Sequence, residues 1–495
     1  MRNFLKLKTR VVILTSAFIS IFAGVAYAED EFETFPIVFP LANLNGENGF
    51  TMNGWPGDNN GYSISGAGDI NGDGIDDILI GAEYSGINYV VFGSKEPWAE
   101  IINLTKLNGI NGFAIKGVRA TSSVSEAGDV NGDGIDDIII GASRVNNYAG
   151  QSYVVFGSKE PWAAVINLVD LNGSNGFALN GIHPDDESGC SVSGAGDVNG
   201  DGVADILIGA SGANINAGQS YVIFGSKEPW PAAIDLFTLD GKNGSILNGV
   251  TGGSGGISVN AAGDINGDDI DDIIIGSPTI GQSYVVFGSK GPWPAVIDLI
   301  KLTGVDGFAI NGVKDGDDCG GAVDGVGDVN DDGIDDFIIG AWYANGRIGE
   351  SYVVFGSKKL WPSSINLDDL DGSDGFRIHG RAISGDSGRS VSGAGDINGD
   401  NIADILIGAP SVGNGVGQSY VVFGRKDPWP RAMNISNLNG NNGFFINGIN
   451  PSDSSGCSVS GAGDINGDGV DDILIGAYRA NDSGGQGYVI FGEGK

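Results

Sequence analysis

Residues 191–224 read SVSGAGDVNGDGVADILIGASGANINAGQSYVIF, and this stretch decides the architecture. It holds three short strand-like runs, Ser191–Gly196, Asp205–Gly209 and Ser220–Phe224. With Gly176–Asn180 (GFALN) upstream it makes a unit of four. Loops rich in Gly and Asn separate the runs, as strand-ending residues do. ILI and YVIF are apolar at successive positions rather than alternate ones, which a strand tolerates only when both of its faces are covered.

The same unit is written seven times. Tyr-Val-(Val/Ile)-Phe-Gly starts at Tyr89, Tyr153, Tyr221, Tyr284, Tyr352, Tyr420 and Tyr488. Gly-Asp-(Ile/Val)-Asn precedes each, and its aspartates are separated by 60, 68, 67, 64, 68 and 68 residues. The repeats span approximately 37–93, 101–157, 165–225, 233–288, 296–356, 364–424 and 433–492. No window carries a sustained helical period. Regular repeats of four strands, apolar on both faces, fit sheets stacked around a ring. The fold read from this pattern is all-β, a seven-bladed β-propeller of four-stranded antiparallel blades. Gly49–Asn53 (GFTMN) has no earlier blade to join, and the last unit lacks a following strand of this kind. The N-terminal strand is therefore expected to complete the outer edge of the last blade and close the ring, since an unpaired edge is a liability.

Residues 1–28 are read as a secretory signal peptide. Arg2, Lys6, Lys8 and Arg10 precede the apolar run Val11–Gly24, and Ala26-Tyr27-Ala28 forms a cleavage site. The run is too short to span a bilayer comfortably, so no transmembrane anchor is expected, and the chain is expected to be secreted or extracytoplasmic. The net charge of −36 becomes more negative once this basic leader is removed, which argues against nucleic acid and anionic membranes as partners. Cys190 and Cys457 occupy equivalent places in two repeats and Cys319 does not. Three isolated cysteines make no disulfide framework.

The acid is concentrated in the loops. Asp69-Ile70-Asn71-Gly72-Asp73-Gly74-Ile75-Asp76-Asp77 places side-chain oxygens at positions 1, 3, 5 and 9, with Gly at 6 for a sharp turn. Alternate residues of a tight loop can turn such oxygens toward a hard cation, which takes about 6–8 of them. The backbone carbonyl of Ile75 and water would complete the shell. An EF-hand is rejected, because Ile80 stands where its bidentate Glu would be and strands flank the loop. The candidate ligands are Asp69, Asn71, Asp73 and Asp77; Asp129, Asn131, Asp133 and Asp137; Asp197, Asn199, Asp201 and Asp205; Asp264, Asn266, Asp268 and Asp272; Asp328, Asn330, Asp332 and Asp336; Asp396, Asn398, Asp400 and Asp404; Asp464, Asn466, Asp468 and Asp472. Two loops carry Asp269 and Asn401 at position 6, residues that tolerate a left-handed backbone. Such loops are also good turns without any ion. Seven sets of three aspartates, however, repel one another unless a cation is present, so up to seven Ca²⁺ are expected.

These motifs resemble the FG-GAP repeats of integrin α-chain propellers. The resemblance rests on Phe92-Gly93, the Asp-x-Asn-x-Asp-Gly-x-x-Asp loop, and Gly-Ala(-Pro) after the second strand, complete in Gly408-Ala409-Pro410 and reduced to Gly81-Ala82 in the first copy. Integrin α-chains usually carry the calcium motif in three or four blades; here every blade has it, and the leg domains and membrane helix are not expected.

The resemblance implies a calcium-stabilised, monomeric recognition or adhesion module with a protein or glycan ligand on an extracellular surface. Its binding face would lie opposite the calcium loops, on Trp55 to Asn60, His183 to Ser188, Lys314 to Asp318, Trp342 to Arg347 and Ser452 to Ser455. A carbohydrate-binding lectin is the alternative, and a non-catalytic relative of a propeller-containing phospholipase D a further one. The repeated tryptophans Trp98, Trp162, Trp230, Trp293, Trp361 and Trp429 are read as packing between blades rather than stacking on sugars. The only histidines, His183 and His379, sit in different repeats without the partners of a zinc site or a triad. No enzyme is expected.

Overall fold

The computed structural model describes residues 35–84, 86–117, 121–426 and 428–494. The leader assigned to residues 1–28 lies outside them. The described chain forms seven sheets, one per blade. In the third blade Ser188–Gly196, Asp205–Ala210, Gln219–Ile223 and Gly244–Asn248 run antiparallel in that order. The first strands of adjacent blades lie side by side around the axis and are joined by side chain to backbone bonds. The Ser63 hydroxyl, for example, accepts the Val124 N–H at 3.0 Å. The second strand is buried along its whole length in every blade, as Asp205–Ala210 shows. Its apolar side chains fill the space between sheets: Leu207 and Val222 of the third blade share one cluster with Ile273 and Tyr284 of the fourth. That double cover explains the unbroken apolar runs.

Each blade has a fifth strand, one more than the sequence pattern indicates. After its third strand the chain crosses onto the preceding blade, lays three residues parallel to that blade's fourth strand, makes a single tight turn, and only then returns. Ala233–Asp235 thus pairs with Gly176–Asn180 of the second blade, in the register Leu179↔Ile234. The extra strand covers main-chain groups that an edge would leave unpaired. The tryptophans anchor the crossing. Their rings stack on the phenylalanine of the covered strand: Trp98 on Phe50, Trp162 on Phe113 and Trp230 on Phe177 at 4.2 Å, Trp361 on Phe308 at 4.4 Å, and Trp429 on Phe376 at 4.0 Å. Where Ser245 replaces that phenylalanine, Trp293 meets Phe224 edge-on at 5.5 Å instead. On the sixth blade Phe35 takes the place of the tryptophan and stacks on Phe444 at 4.6 Å.

The ring closes through the N-terminal segment. Gly49–Asn53 pairs antiparallel with Gln486–Ile490, in the register Thr51↔Tyr488, and becomes the fourth strand of the seventh blade as the sequence leads one to expect. Val38–Pro40 adds a contact the sequence does not announce, pairing parallel with Gly443–Asn447 of the sixth blade. Among the described residues no helix is long and apolar enough to cross a membrane.

Candidate functional site: aspartate loops and the opposite face

Each Asp-rich loop joins the first and second strands of its blade. The first strand ends in a bulge, and Gly68, at φ 58°, turns the chain into the loop. In the first loop the Asp69 carboxylate accepts the N–H groups of Asp73 and Gly74 at 2.9 and 2.8 Å. Asp73 accepts the N–H of Ile75 at 3.0 Å. The sixth position is left-handed in every loop, and Asp269 and Asn401 adopt φ 64° and 63° there. A side chain at that place meets open space, as at Gly74, so only the backbone conformation is selected. The fourth position is left-handed too, a requirement the sequence reading did not weigh. Asp331 fills it at φ 56° and pairs with Lys426 of the next blade.

The ninth-position carboxylates, Asp77, Asp137, Asp205, Asp272, Asp336, Asp404 and Asp472, are completely buried. Oδ1 of Asp77 accepts the N–H of Gly93 at 2.8 Å, and the same bond recurs in all seven blades. This geometry accounts for the glycine of Phe-Gly, because a Cβ on Gly93 would lie 2.2 Å from the carbonyl oxygen of Asp76. Burial, reinforced by the charges of Asp73 and Asp69 and opposed by the Gly93 N–H, pushes the Asp77 carboxyl up to about 8. Five further members stand at about 8 and Asp404 well above its ordinary value, burial leading in each.

Each loop therefore brings its three aspartates and one asparagine into one turn around a buried carboxyl. Among the described residues, though, no three Asp, Glu, His or Cys side chains converge as a ready metal cluster. The chemistry of the donor set, all oxygen and mostly anionic, fits a hard cation. One atom supports that fit directly: Oδ1 of Asn398 is buried with no hydrogen-bond partner.

The first strands line an axial cavity of about 520 Å³, walled mainly by Gly, Ser and Ala. Asp76, Glu126, Asn260 and Asp324 interrupt that lining. Glu126 is exposed, but only toward the channel that encircles it, and burial pushes its carboxyl up to about 7. Asp324, which accepts the Gly393 N–H at 3.3 Å, is likewise raised to about 7 by burial.

The loops named from the sequence as a binding face do gather at the other end of the axis, before the first strands and between the second and third. One of them, Trp342 to Arg347, contains consecutive left-handed residues, Asn345, Gly346 and Arg347 at φ 53°, 70° and 69°. Their chemistry departs from that of the repeat. All five tyrosines outside both the leader and the Tyr-Val motif, Tyr62, Tyr84, Tyr148, Tyr343 and Tyr478, stand here. So do Trp55 and Trp342, the two tryptophans outside the repeated anchor.

Sequence reading missed the groups nearest the axis. The residue seven places before each loop's first aspartate is Tyr62, Ser122, Cys190, Ile257, Gly321, Arg389 and Cys457 in turn, one per blade. A position where seven copies of a strict repeat hold six different residue types was the available signal. Tyr62 packs edge-on to Tyr478 at 5.6 Å, and Arg144 pairs with Glu83 at 3.0 Å. Of the two histidines, His379 lies 2.7 Å from the buried Glu350. All three cysteines are free; Cys319 is buried, Cys190 and Cys457 half-buried.

Fold and loops together define a propeller of FG-GAP repeats, and comparison with known proteins agrees. The FG-GAP repeat is matched at residues 60–94, 123–155, 191–223, 387–422 and 458–490, the first three strands of five blades. Among known proteins the chain is similar to integrin alpha pat-2 of Caenorhabditis elegans, 32% identical over 244 residues, 45% of this chain and 18% of that protein. It is also similar to a phosphatidylinositol-glycan-specific phospholipase D of Dictyostelium discoideum, 28% identical over 310 residues, 56% of this chain and 31% of that protein. The matched stretch thus spans less than a third of either relative. A solved structure of BBS1N in complex with ARL6DN aligns over 90% of this chain and 96% of that one at a TM-score of 0.44 and 9% identity.

Proposed function

We propose that this integrin α-like propeller is a secreted, non-catalytic recognition module whose aspartate loops hold Ca²⁺ and whose opposite face binds a protein ligand on an extracellular surface. The observation that carries the reading is the segregation of side chains. The repeat's own Tyr and Trp are spent on packing, while those that escape the repeat collect on one face. There Trp55 and Tyr84 are each 60% exposed and Tyr343 is 44% exposed. Tyr, Trp and Arg are the residues that dominate binding energy at protein interfaces, and variable loops on a rigid scaffold are where such sites are built.

In the loops, Asp at positions 1, 5 and 9 and Asn at 3 would hold the cation. Bound there, it would neutralise the carboxylates that burial and mutual repulsion disfavour. The lectin reading has less support, since five of the six repeated tryptophans already have one ring face against a phenylalanine. The test is capture of extracellular-surface proteins at fixed calcium. Tyr84→Ser with Tyr343→Ser should lower capture strongly, and Leu360→Ser, at an exposed site near the repeated tryptophans, should not. Equal capture by all three proteins would overturn the assignment of the face.

A further inference from the structure

The mouth of the axis on the variable face holds a cation that the molecule leaves unmatched. Arg389 is exposed, and its Cζ lies 4.7 Å from the ring centroid of Trp342. Its charge reaches Tyr62, Asp318, Cys457 and Tyr478, side chains of three other blades, so it stands over the centre of the face. Among the described residues no carboxylate lies within ion-pair distance of it. Two neighbouring arginines differ. Arg347 lies over the same indole at 5.6 Å but is held by both oxygens of Asp386, at 2.8 and 2.5 Å, and Arg144 has Glu83.

We infer that Arg389, laid on Trp342, is a carboxylate-binding subsite that docks an acidic side chain from a segment of a partner protein. The inference rests on the reading of this face as the recognition surface. Stacking on the indole fixes the guanidinium plane and leaves its N–H edge free. That edge matches a carboxylate with two parallel hydrogen bonds, and its prior immobilisation lowers the entropy lost on binding. The surroundings select the source of the carboxylate. Glu83 and Asp318 border the mouth, and the whole chain is strongly acidic, so a polyanionic glycan is repelled. A single acid set among apolar residues is not, because Tyr62, Tyr478 and Tyr343 offer aromatic area around Arg389 for its neighbours.

The experiment is selection of a random dodecapeptide library displayed on phage against the whole chain in calcium, with heparin and polygalacturonate binding measured in parallel. The expected result is a consensus with one Asp or Glu flanked by apolar residues. Its binding should fall about tenfold or more in Arg389→Gln, recover only in part in Arg389→Lys, and persist in Lys242→Gln at a distant exposed turn. Peptides that bind Arg389→Gln as well as the parent, or a consensus without an acid, would overturn the subsite. If such peptides were still lost in Tyr343→Ser, the face would stand and only the subsite would fall. Binding of polygalacturonate through Arg389 with no peptide enriched would also overturn it.

Discussion

The backbone N–H of Asp69 donates to Oδ2 of Asp136 at 2.9 Å, across the seam between the first and second blades. The eighth residue of one loop thereby holds the first residue of the loop before it. The bond recurs from Asp197 to Asp271, Asp264 to Asp335, Asp396 to Asp471 and Asp464 to Asp76. At two seams Ala204 and Ala403 stand in the eighth position, and no carboxylate can reach the amides of Asp129 and Asp328. Asp136→Ala should cost about 1–3 kcal/mol, the penalty for stranding a part-buried donor. Amide exchange should be faster at Asp129 and Asp328 than at Asp69 and Asp264. Uniform protection across all seven would show that the seams are equivalent.

Chelation should lower the melting temperature, because a ligand that binds only the folded state stabilises it by about 2.7 kcal/mol per site at a hundredfold excess over Kd. Elemental analysis gives the stoichiometry. Asp133→Ala should remove one site and leave the other blades folded, since each blade contacts chiefly its neighbours. An unchanged site count in the variant would exclude Asp133 as a ligand.

Glu126 and Asp324, on the first strands, add a pH dependence to that of the loops, whose Asp136 and Asp76 also act on Glu126. Glu126 and Asp324 have folded pKa values of about 7, raised from 4.5 and 3.8. A raised folded pKa favours the protonated form in the folded chain, so its contribution is complete below the unfolded value and is lost as pH rises through about 7. With calcium saturating, stability should decline between about pH 4 and 7, from the unfolded to the folded values. Glu126→Gln with Asp324→Asn should flatten that decline. A slope identical in parent and variant would place its origin elsewhere.

In the fifth blade an acid and a histidine replace a pair of amides. Five blades join a Gln on the third strand to an Asn on the fourth, as Gln219 does to Asn248 at 2.9 Å. Glu350 and His379 take those places, and Glu350 also accepts from Asn345 and Tyr352 at 2.7 and 2.5 Å. His379→Ala should destabilise by roughly 1–3 kcal/mol, because it takes a partner from a buried carboxylate. The double change Glu350→Gln with His379→Asn should recover most of that loss. Two single losses that simply add, measured in denaturant, would show no coupling.

Removal of residues 35–54 should leave seven aspartate loops yet strip the outer strands from the sixth and seventh blades. Lower stability and concentration-dependent association are the expected results, read by calorimetry and light scattering.

What was legible in the sequence was what repeats locally. Tyr-Val-Val-Phe, the aspartate spacing and the unattached Gly49–Asn53 were enough for blade number, loop position and closure. The fifth strand was not legible, because three residues such as Val165–Asn167 carry no period of their own. Their partner, Ala114–Lys116, lies in the preceding repeat. The Asp136 clasp was hidden for the same reason: within its own loop it is one more aspartate. Arg389 was passed over because alignment of the copies draws attention to what is shared, and its place shares only the cysteine of two other copies. The tryptophans were read correctly as packing groups, though not that each grips the blade before its own.

The pairing of Val38–Pro40 and Gly49–Asn53 with strands more than 390 residues further along also orders events in time. During synthesis these two strands emerge first and must wait for partners made last. Five blades can complete their edges as the chain lengthens, but the sixth must join Gly443–Asn447 to Val38–Pro40 and the seventh Gln486–Ile490 to Gly49–Asn53. So long a wait makes closure the slow step, since loop entropy must be overcome before those contacts form. Any factor that shields nascent sheet edges would therefore act chiefly on the two blades that share the seam.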